Sequence, residues 1–295
     1  MPASSVVYDA TLGSLTLKQV RSASYNGGAT TTLDYTSGGV SPSATYLVQA
    51  APTVQFTSGD LDGVMDGFTS GAYLGVASGT ITIPWNLRSV GSTFASGTAH
   101  DKINATDGLF AVQSYSASQG DAAGASVTIA GNLHKPDGTI PVTISTGQSL
   151  SAAAYNCTHK LGPATINGSA IAGITRVSVN PGVSIDAEFV DGGVYPIAHY
   201  VTRLAPTIEV TGRYQSLFTS LGPIFTTMTA AVFYFRKRAE GGTTVSDGTG
   251  AHLSFTFADG IVAVETVSGS DNAAGEVTLR LHGEALTMSS TATIS

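Results

Sequence analysis

The sequence predicts a mainly β chain: two tandem, homologous antiparallel β-sandwich or partial-barrel domains, each carrying one short helix. Three observations predict it. First, Val20 to Thr57 falls on Ile174 to Thr211 without a gap. Each pair is the same distance apart, 180 − 26 for Asn26/Asn180, 192 − 38 for Gly38/Gly192 and 206 − 52 for Pro52/Pro206. Six of the thirteen matched identities are Gly, Pro or Asn, the residues that set backbone geometry. Second, both copies alternate: Thr31, Leu33 and Tyr35 against Thr30, Thr32 and Asp34, and Ile185, Ala187 and Phe189 against Ser184, Asp186 and Glu188. That is the period of a strand with one apolar face. Third, one helical period follows the strands in each copy.

Taken in order, Val6–Tyr8 and Leu15–Val20 read as short strands. Ser22–Tyr25 and Ala29–Thr36 flank Asn26-Gly27-Gly28, a hairpin signal. The second copy has Asn180-Pro181-Gly182 there, a tight turn in which Pro fixes φ and Gly is free to take a positive one. A Gly-Gly turn, a strand through Tyr46 or Tyr200, and Thr53–Thr57 or Thr207–Thr211 complete the matched unit. Leu61, Val64, Met65 and Phe68 then form an apolar helical stripe, as do Tyr214, Leu217, Phe218 and Leu221. Ser58 and Asp60 are candidate caps, and Gly71 and Pro223 are stop signals. These stripes are read as helix faces packed on a sheet. Thr80–Asn86 and Ala231–Arg238 resume the strands, with Pro84 marking an edge or a bulge. Leu109–Ser116 matches Ile261–Ser268 at a slightly shorter spacing, 261 − 109, and keeps Ser116/Ser268. Asp107-Gly108 and Asp259-Gly260 read as matching turns, and Val127–Ala130 matches Val277–Arg280. The boundary falls near residue 152, giving domains 1–152 (with a linker from about 133) and 153–295, each expected to have its own core.

Composition narrows the function classes. Charged residues make up 11% of the chain, against about 25% in ordinary soluble domains. So uncharged a surface suggests that much of it is buried against partners. Net charge is −7, spread evenly as 5 − 9 in residues 1–150 and 8 − 11 in the remainder, which argues against a basic nucleic-acid binder. Cys157 is the only cysteine, so neither an internal disulfide nor a cysteine metal site is expected. The start, Met-Pro-Ala-Ser-Ser, lacks the basic and apolar regions of a signal peptide. A soluble protein made in a reducing cytoplasm is the expectation.

No catalytic constellation emerges. The six histidines form no compact ligand spacing, and His100 and His252, equivalent in the repeat, read as structural or solvent-exposed. Asp60, Asp62 and Asp66 lack the spacing and final Glu of a calcium loop, so helix-start carboxylates explain them better. There is no Gly-x-Ser-x-Gly, no phosphate loop and no dinucleotide fingerprint. No cofactor or metal is expected, nor enzyme activity. Arg236, Lys237 and Arg238 read as a surface cluster facing acidic groups on a neighbouring subunit. The polar stripe of Thr32, Asp34, Asp186 and Glu188 stands out as a repeated face. Two such domains in tandem can occupy successive positions of one ring, so that three chains give six quasi-equivalent domains, with edge strands paired to the next domain.

The features Asn167-Gly168-Ser169 ahead of Ile174–Val179, Asn180-Pro181-Gly182, the Ala205-Pro206-Thr207 strand start and the stripe Tyr214–Leu221 give the chain a layout that resembles the major tail tube proteins of long-tailed bacteriophages. The form it resembles has two fused tube domains, with three chains in each ring. The resemblance covers nearly the whole chain as architecture, without a diagnostic residue motif. It implies a structural virion protein of the phage tail, assembled in the host cytoplasm, whose rings stack into a hollow tube that passes DNA without binding it specifically. Its implied partners are further copies of itself, a tape measure protein and a tail terminator. Thr32, Asp34, Asp186 and Glu188 are then expected to face the lumen. The alternatives are a distal-tail or hub protein of the same tail, a secreted β-sandwich adhesin or carbohydrate-binding module, or a hydrolase, for which nothing positive speaks.

Overall fold

The structure is a computed structural model that describes residues 3–7, 9–69, 76–89, 100–148, 157–213, 225–239, 242–270 and 273–294. The second helical stripe, Tyr214, Leu217, Phe218 and Leu221, lies outside the described residues, as do Gly71 and Pro223.

The chain opens with β1 (Ala3–Val7), β2 (Ala10–Leu12), β3 (Leu15–Leu17), β4 (Val20–Asn26), β5 (Ala29–Asp34), β6 (Ala44–Ala50) and β7 (Thr53–Ser58). Helix α1 (Leu61–Thr69) follows, then β8 (Val76–Ser78), β9 (Ile81–Ser89), β10 (His100–Ala105), β11 (Asp107–Ser118), β12 (Ser126–His134) and β13 (Val142–Gln148). The second half runs β14 (Thr158–Ile166), β15 (Ser169–Ala170), β16 (Ile174–Asn180), β17 (Val183–Phe189), β18 (Pro196–Leu204), β19 (Thr207–Arg213), β20 (Phe225–Arg238), β21 (His252–Ser270) and β22 (Ala273–Ala292). All strand pairings within the sheets are antiparallel. The fold is mainly β, with one helix among the described residues.

A six-stranded sheet, β13-β10-β9-β2-β3 with β1 also on β9, belongs to the first half alone. A twelve-stranded sheet crosses both halves in the order β15-β14-β20-β21-β22-β19-β16-β11-β12-β7-β4, with β8 beside β11. Within it, β4-β7-β12-β11 and β16-β19-β22-β21 are two four-stranded blocks of the same order, laid side by side. Pro84 sits opposite Lys102 of β10. On its other side it falls between the end of the β2 pairing at Thr82 and the start of the β1 pairing at Trp85, where its missing N–H costs no ladder bond.

The Asn-Gly segments do not close hairpins. β4 pairs with β7, and β5 with β6. Together they form one long hairpin that bends at Gly27–Gly28 and Ala51–Pro52. The second half does the same with β16–β19 and β17–β18. The pairing matches residue for residue at the repeat spacing: Tyr25↔Val54 and Val179↔Ile208, Asp34↔Ala44 and Glu188↔Ala198. Even the bulges coincide, at Val20/Ser22 and Ile174/Arg176, and at Thr30/Thr31 and Ser184/Ile185. The bend requires glycine. Gly28 and Gly182 have φ of 57° and 70°, and a Cβ there would lie 2.1 Å from the Ala51 carbonyl oxygen and 1.9 Å from that of Ala205. Each glycine N–H donates to the preceding asparagine, Asn26 Oδ1 at 3.0 Å and Asn180 Oδ1 at 2.7 Å. Asp259-Gly260 is likewise a kink inside β21 and no turn, with both residues at positive φ and Gly260 facing Gly283 of β22.

α1 starts where the caps predict. Ser58 Oγ accepts from the Asp60 N–H at 2.9 Å, and Asp60 Oδ1 accepts from Gly63 N–H at 3.1 Å. The helix buries Leu61, Val64, Met65 and Phe68 completely or nearly so. The core is one continuous cluster through both halves, where two separate ones were expected. The reason is local. Tyr115 of β11 packs its ring 5.1 Å from Phe255 of β21, which in turn stacks on Phe235 of β20 at 5.0 Å. The apolar face of the first block is thus completed by strands of the second. His100 and His252, allowed by their sequence to be exposed, are buried. His252 Nδ1 accepts from the Lys237 N–H at 3.1 Å, and Nε2 lies 3.0 Å from the Ser246 carbonyl oxygen, to which it donates, so the ring is held on both sides.

Gly182→Val should cost roughly 1–3 kcal/mol from backbone conformation alone, with the clash on Ala205 added. Urea denaturation of the variant should show that loss, and an unchanged midpoint would contradict the bend geometry.

Candidate functional site

The halves meet through a strand pairing, three of the six histidines (His134, His159 and His199) and the ion pair of Asp62 with Lys237. There, β11 of the first block lies against β16 of the second, with Tyr115↔Val179, Ser116↔Ser178, Ala117↔Val177 and Ser118↔Arg176 as partners. Alternation sorts these pairs by face. Tyr115, Val177 and Val179 are fully buried and Ala117 is 2% exposed, while the serines point to the opposite side of the sheet. Burial pushes the Tyr115 hydroxyl well above its ordinary value, so it stays neutral. The contact is head-to-tail: the fourth strand of one block meets the first strand of the other.

A second contact follows the first. The hairpin β17–β18 extends beyond the sheet as an arm and settles on the end of the first block. The Lys135 N–H donates to the Pro196 carbonyl at 3.1 Å, and the Ala50 N–H donates to the Val194 carbonyl at 2.8 Å. His199 of the arm meets His134 of β12, Nδ1 to Nδ1 at 3.2 Å, so one ring must donate and the other accept. Asp107 Oδ2 lies 3.6 Å from His134 Nε2. Burial, and then the proximity of His134, push His199 down to about 4.

The third contact is ionic. The Asp62 carboxylate, on α1 of the first half, takes Lys237 Nζ of β20 at 2.6 Å. His159 Nε2 of β14 lies 3.1 Å from the same carboxylate, short of hydrogen-bond geometry. Burial alone would raise Asp62, but His159 and Lys237 outweigh it and hold the carboxyl below its ordinary value. Cys157 Sγ stands 3.8 Å from the same carboxylate. Ser290 of β22 donates to Asp66 on the next turn of α1. Among the described residues, no three His, Cys, Asp or Glu side chains form a group that could hold a metal ion. No described helix is long and apolar enough to cross a membrane.

The structure scatters the residues singled out in the sequence. Thr32 and Asp34 lie on the β5–β6 arm, and Asp186 and Glu188 on the β17–β18 arm, all exposed and all off the twelve-stranded sheet. Glu188 accepts from the Tyr200 hydroxyl beside it. The cations expected to face a neighbouring subunit are engaged within the chain. Arg236 holds Asp247 with two bonds, at 3.1 and 2.6 Å, Lys237 holds Asp62, and Arg238 Nε donates to the Gly242 carbonyl at 2.7 Å. Sequence reasoning missed the joint itself, although Ser116 and Ser178, each half of a repeat identity, are partners in it.

No protein-family model matches the chain, and no curated protein matches it in sequence.

The histidine pair sets a pH dependence. His199 has a folded pKa lowered from 6.5 to about 4, so between those values the unfolded chain binds a proton that the folded arm refuses. Stability is therefore complete above about pH 6.5 and declines as pH falls toward 4. Asp62, whose pKa is lowered from 3.8, adds a further loss below that value. Urea midpoints measured across this range should fall in that order, and His199→Phe should flatten the first decline; an unaltered slope would contradict it.

Proposed function

We propose that the chain is a structural self-assembling protein, two homologous domains in tandem, whose copies close into a ring and stack as a phage-type tail tube that conducts DNA. The observation that carries this reading is the joint. The two blocks meet head-to-tail, and a heterologous contact of that kind propagates until it closes into a ring or runs on as a filament. The chain is built for continuation. Among the described residues, β4 ends the twelve-stranded sheet with a partner on one side only. The β5–β6 arm is exposed on both faces, with Leu33, Tyr35, Tyr46, Leu47 and Val48 between 43% and 54% exposed. An isolated two-stranded hairpin is marginal in water, so such an arm needs a surface to lie on. The low charge of the chain fits the same need.

In this reading the wall of the channel is the outer face of the paired blocks, and not the arms that carry Thr32, Asp34, Asp186 and Glu188. That face presents Ser24, Gln55, Thr128, Ser116, Ser178 and Thr278, by the alternation of strands whose other face is core. Of the cations on this face, Arg280 is held by Glu265 at 2.8 Å and Glu209 at 3.7 Å, while Arg176, two residues before Ser178, is exposed. A wall made chiefly of hydroxyls and amides, on a chain of net charge −7, offers phosphates few counter-charges, which suits passage over binding.

Negative-stain microscopy of the purified full chain tests the reading. Hollow tubes with a regular ring repeat are the expected result, and isolated rings would shift the assignment to a hub of the same tail. A monodisperse monomer that binds glycans would overturn both.

A further inference from the structure

The joint inside the chain has an unoccupied counterpart at each end, and we propose that the joint between chains repeats it in register, with Val267 of one copy packed on Tyr25 of the next. The proposal rests on the assembly reading above and deepens it to named residues and a named register.

The repeat spacing transposes each internal partner. Val179 corresponds to Tyr25 and Val177 to Ala23, while Tyr115 corresponds to Val267 and Ala117 to Gly269. The internal pair Tyr115↔Val179 therefore becomes Val267↔Tyr25, and Ser116↔Ser178 becomes Ser268↔Ser24. The first swap exchanges a tyrosine and a valine across the ladder, so the volume of the pair is conserved. The second sets serine on serine at both joints.

Burial follows the same logic. Tyr115 and Val179 are 0% exposed, whereas Val267 is 48% and Tyr25 is 39% exposed. The backbone agrees as well. Among the described residues β4 pairs only with β7, and Glu265 to Ser270 of β21 pair only with β22, because the β20 pairing stops at Ala263. Two bare edges of matching length, carrying exposed apolar residues at the transposed positions, are the two sides of one joint.

A second contact transposes independently. In the internal joint the second arm is seated, with Pro196 buried and Val194 half-buried, and the Val194 carbonyl accepts from the Ala50 N–H. Its counterparts on the first arm are bare: Val40 is 98% exposed, and Pro42 is exposed too. The counterpart of Ala50 is Leu204, which lines an open cleft with Pro181, Pro206, Glu284, Ala285 and Leu286. Thus the tip of the first arm, at Val40 and Pro42, seats on this cleft of the preceding copy. Both transposed contacts run in the same direction, so one neighbour satisfies them together. The ionic contact is not repeated, since Gln215 stands at the position corresponding to Asp62. The joint between chains is accordingly the one that opens and closes during assembly.

Cross-linking tests the register. The full chain carries Cys157→Ala with Val267→Cys and Tyr25→Cys, under mild oxidation. A disulfide formed within one chain runs as a monomer on the gel, so only covalent multimers count as links between chains. Non-reducing gels should show covalent multimers ending at a closed ring. Val267→Cys with Ala23→Cys should link at least about tenfold more slowly, because diagonal partners lie roughly 7–8 Å apart and a disulfide needs about 3.5–4.5 Å between Cβ atoms. Val40→Glu, on a side chain with nothing to lose in the single chain, should leave the melting temperature unchanged and abolish the multimers. Assemblies visible by microscopy that link equally well through Ala23, or through neither position, or that tolerate Val40→Glu, overturn this joint and leave the tube reading standing. A chain that stays monomeric at every concentration overturns both.

Discussion

The pairing of β11 with β16 is the constraint on which the rest depends. Four residue pairs are a small contact, each cross-strand pair being worth about 0.2–1 kcal/mol, yet its consequences reach across the molecule. It fixes the direction in which the second block follows the first. It brings Tyr115 under Phe255 and so joins two potential cores into one. It also places α1 against β20 and β22, where Asp62 finds Lys237 and Asp66 finds Ser290. Removing Asp62 would leave a half-buried lysine without its anion, so breaking the pair is strongly destabilising even where forming it adds little net stability.

The same pairing explains the uneven surface. Two blocks of one order, joined head-to-tail, must leave the first strand of one and the fourth strand of the other uncovered. The burial of β4 and β16 differs for that reason and not because of their side chains: Val177 and Val179 are buried, while Ala23 and Tyr25, on the same face of the same kind of strand, are not. The two arms differ in parallel, one seated on the preceding block through His134, Lys135 and Ala50, the other bare.

The amino-acid order carried much of this. Turn chemistry and alternation marked the strands, and the stripe of Leu61, Val64, Met65 and Phe68 with its Ser58 and Asp60 cap marked the helix. Local rules misread what depends on distant partners. Asn26-Gly27-Gly28 has the chemistry of a hairpin turn, but its glycine is required because the Ala51 carbonyl passes within reach, and only the pairing of β4 with β7 reveals that. Arg236, Lys237 and Arg238 read as a surface cluster facing a neighbouring subunit because Asp62 and Asp247, which hold two of them, are recognisable only once the sheets are assembled. The joint left a trace in the serines at 24, 116, 178 and 268, but a repeat identity does not say which copy faces which.

Hydrogen–deuterium exchange on the free and the assembled chain tests the central claim most directly, since it reports backbone pairing strand by strand. If the internal joint is the template for assembly, β16 amides are protected in both states, while those amides of Ser22 to Tyr25 and Thr266 to Ser270 that point away from β7 and β22 become protected only on assembly. Equal exchange of those two edges before and after assembly, with protection arising elsewhere, would contradict it.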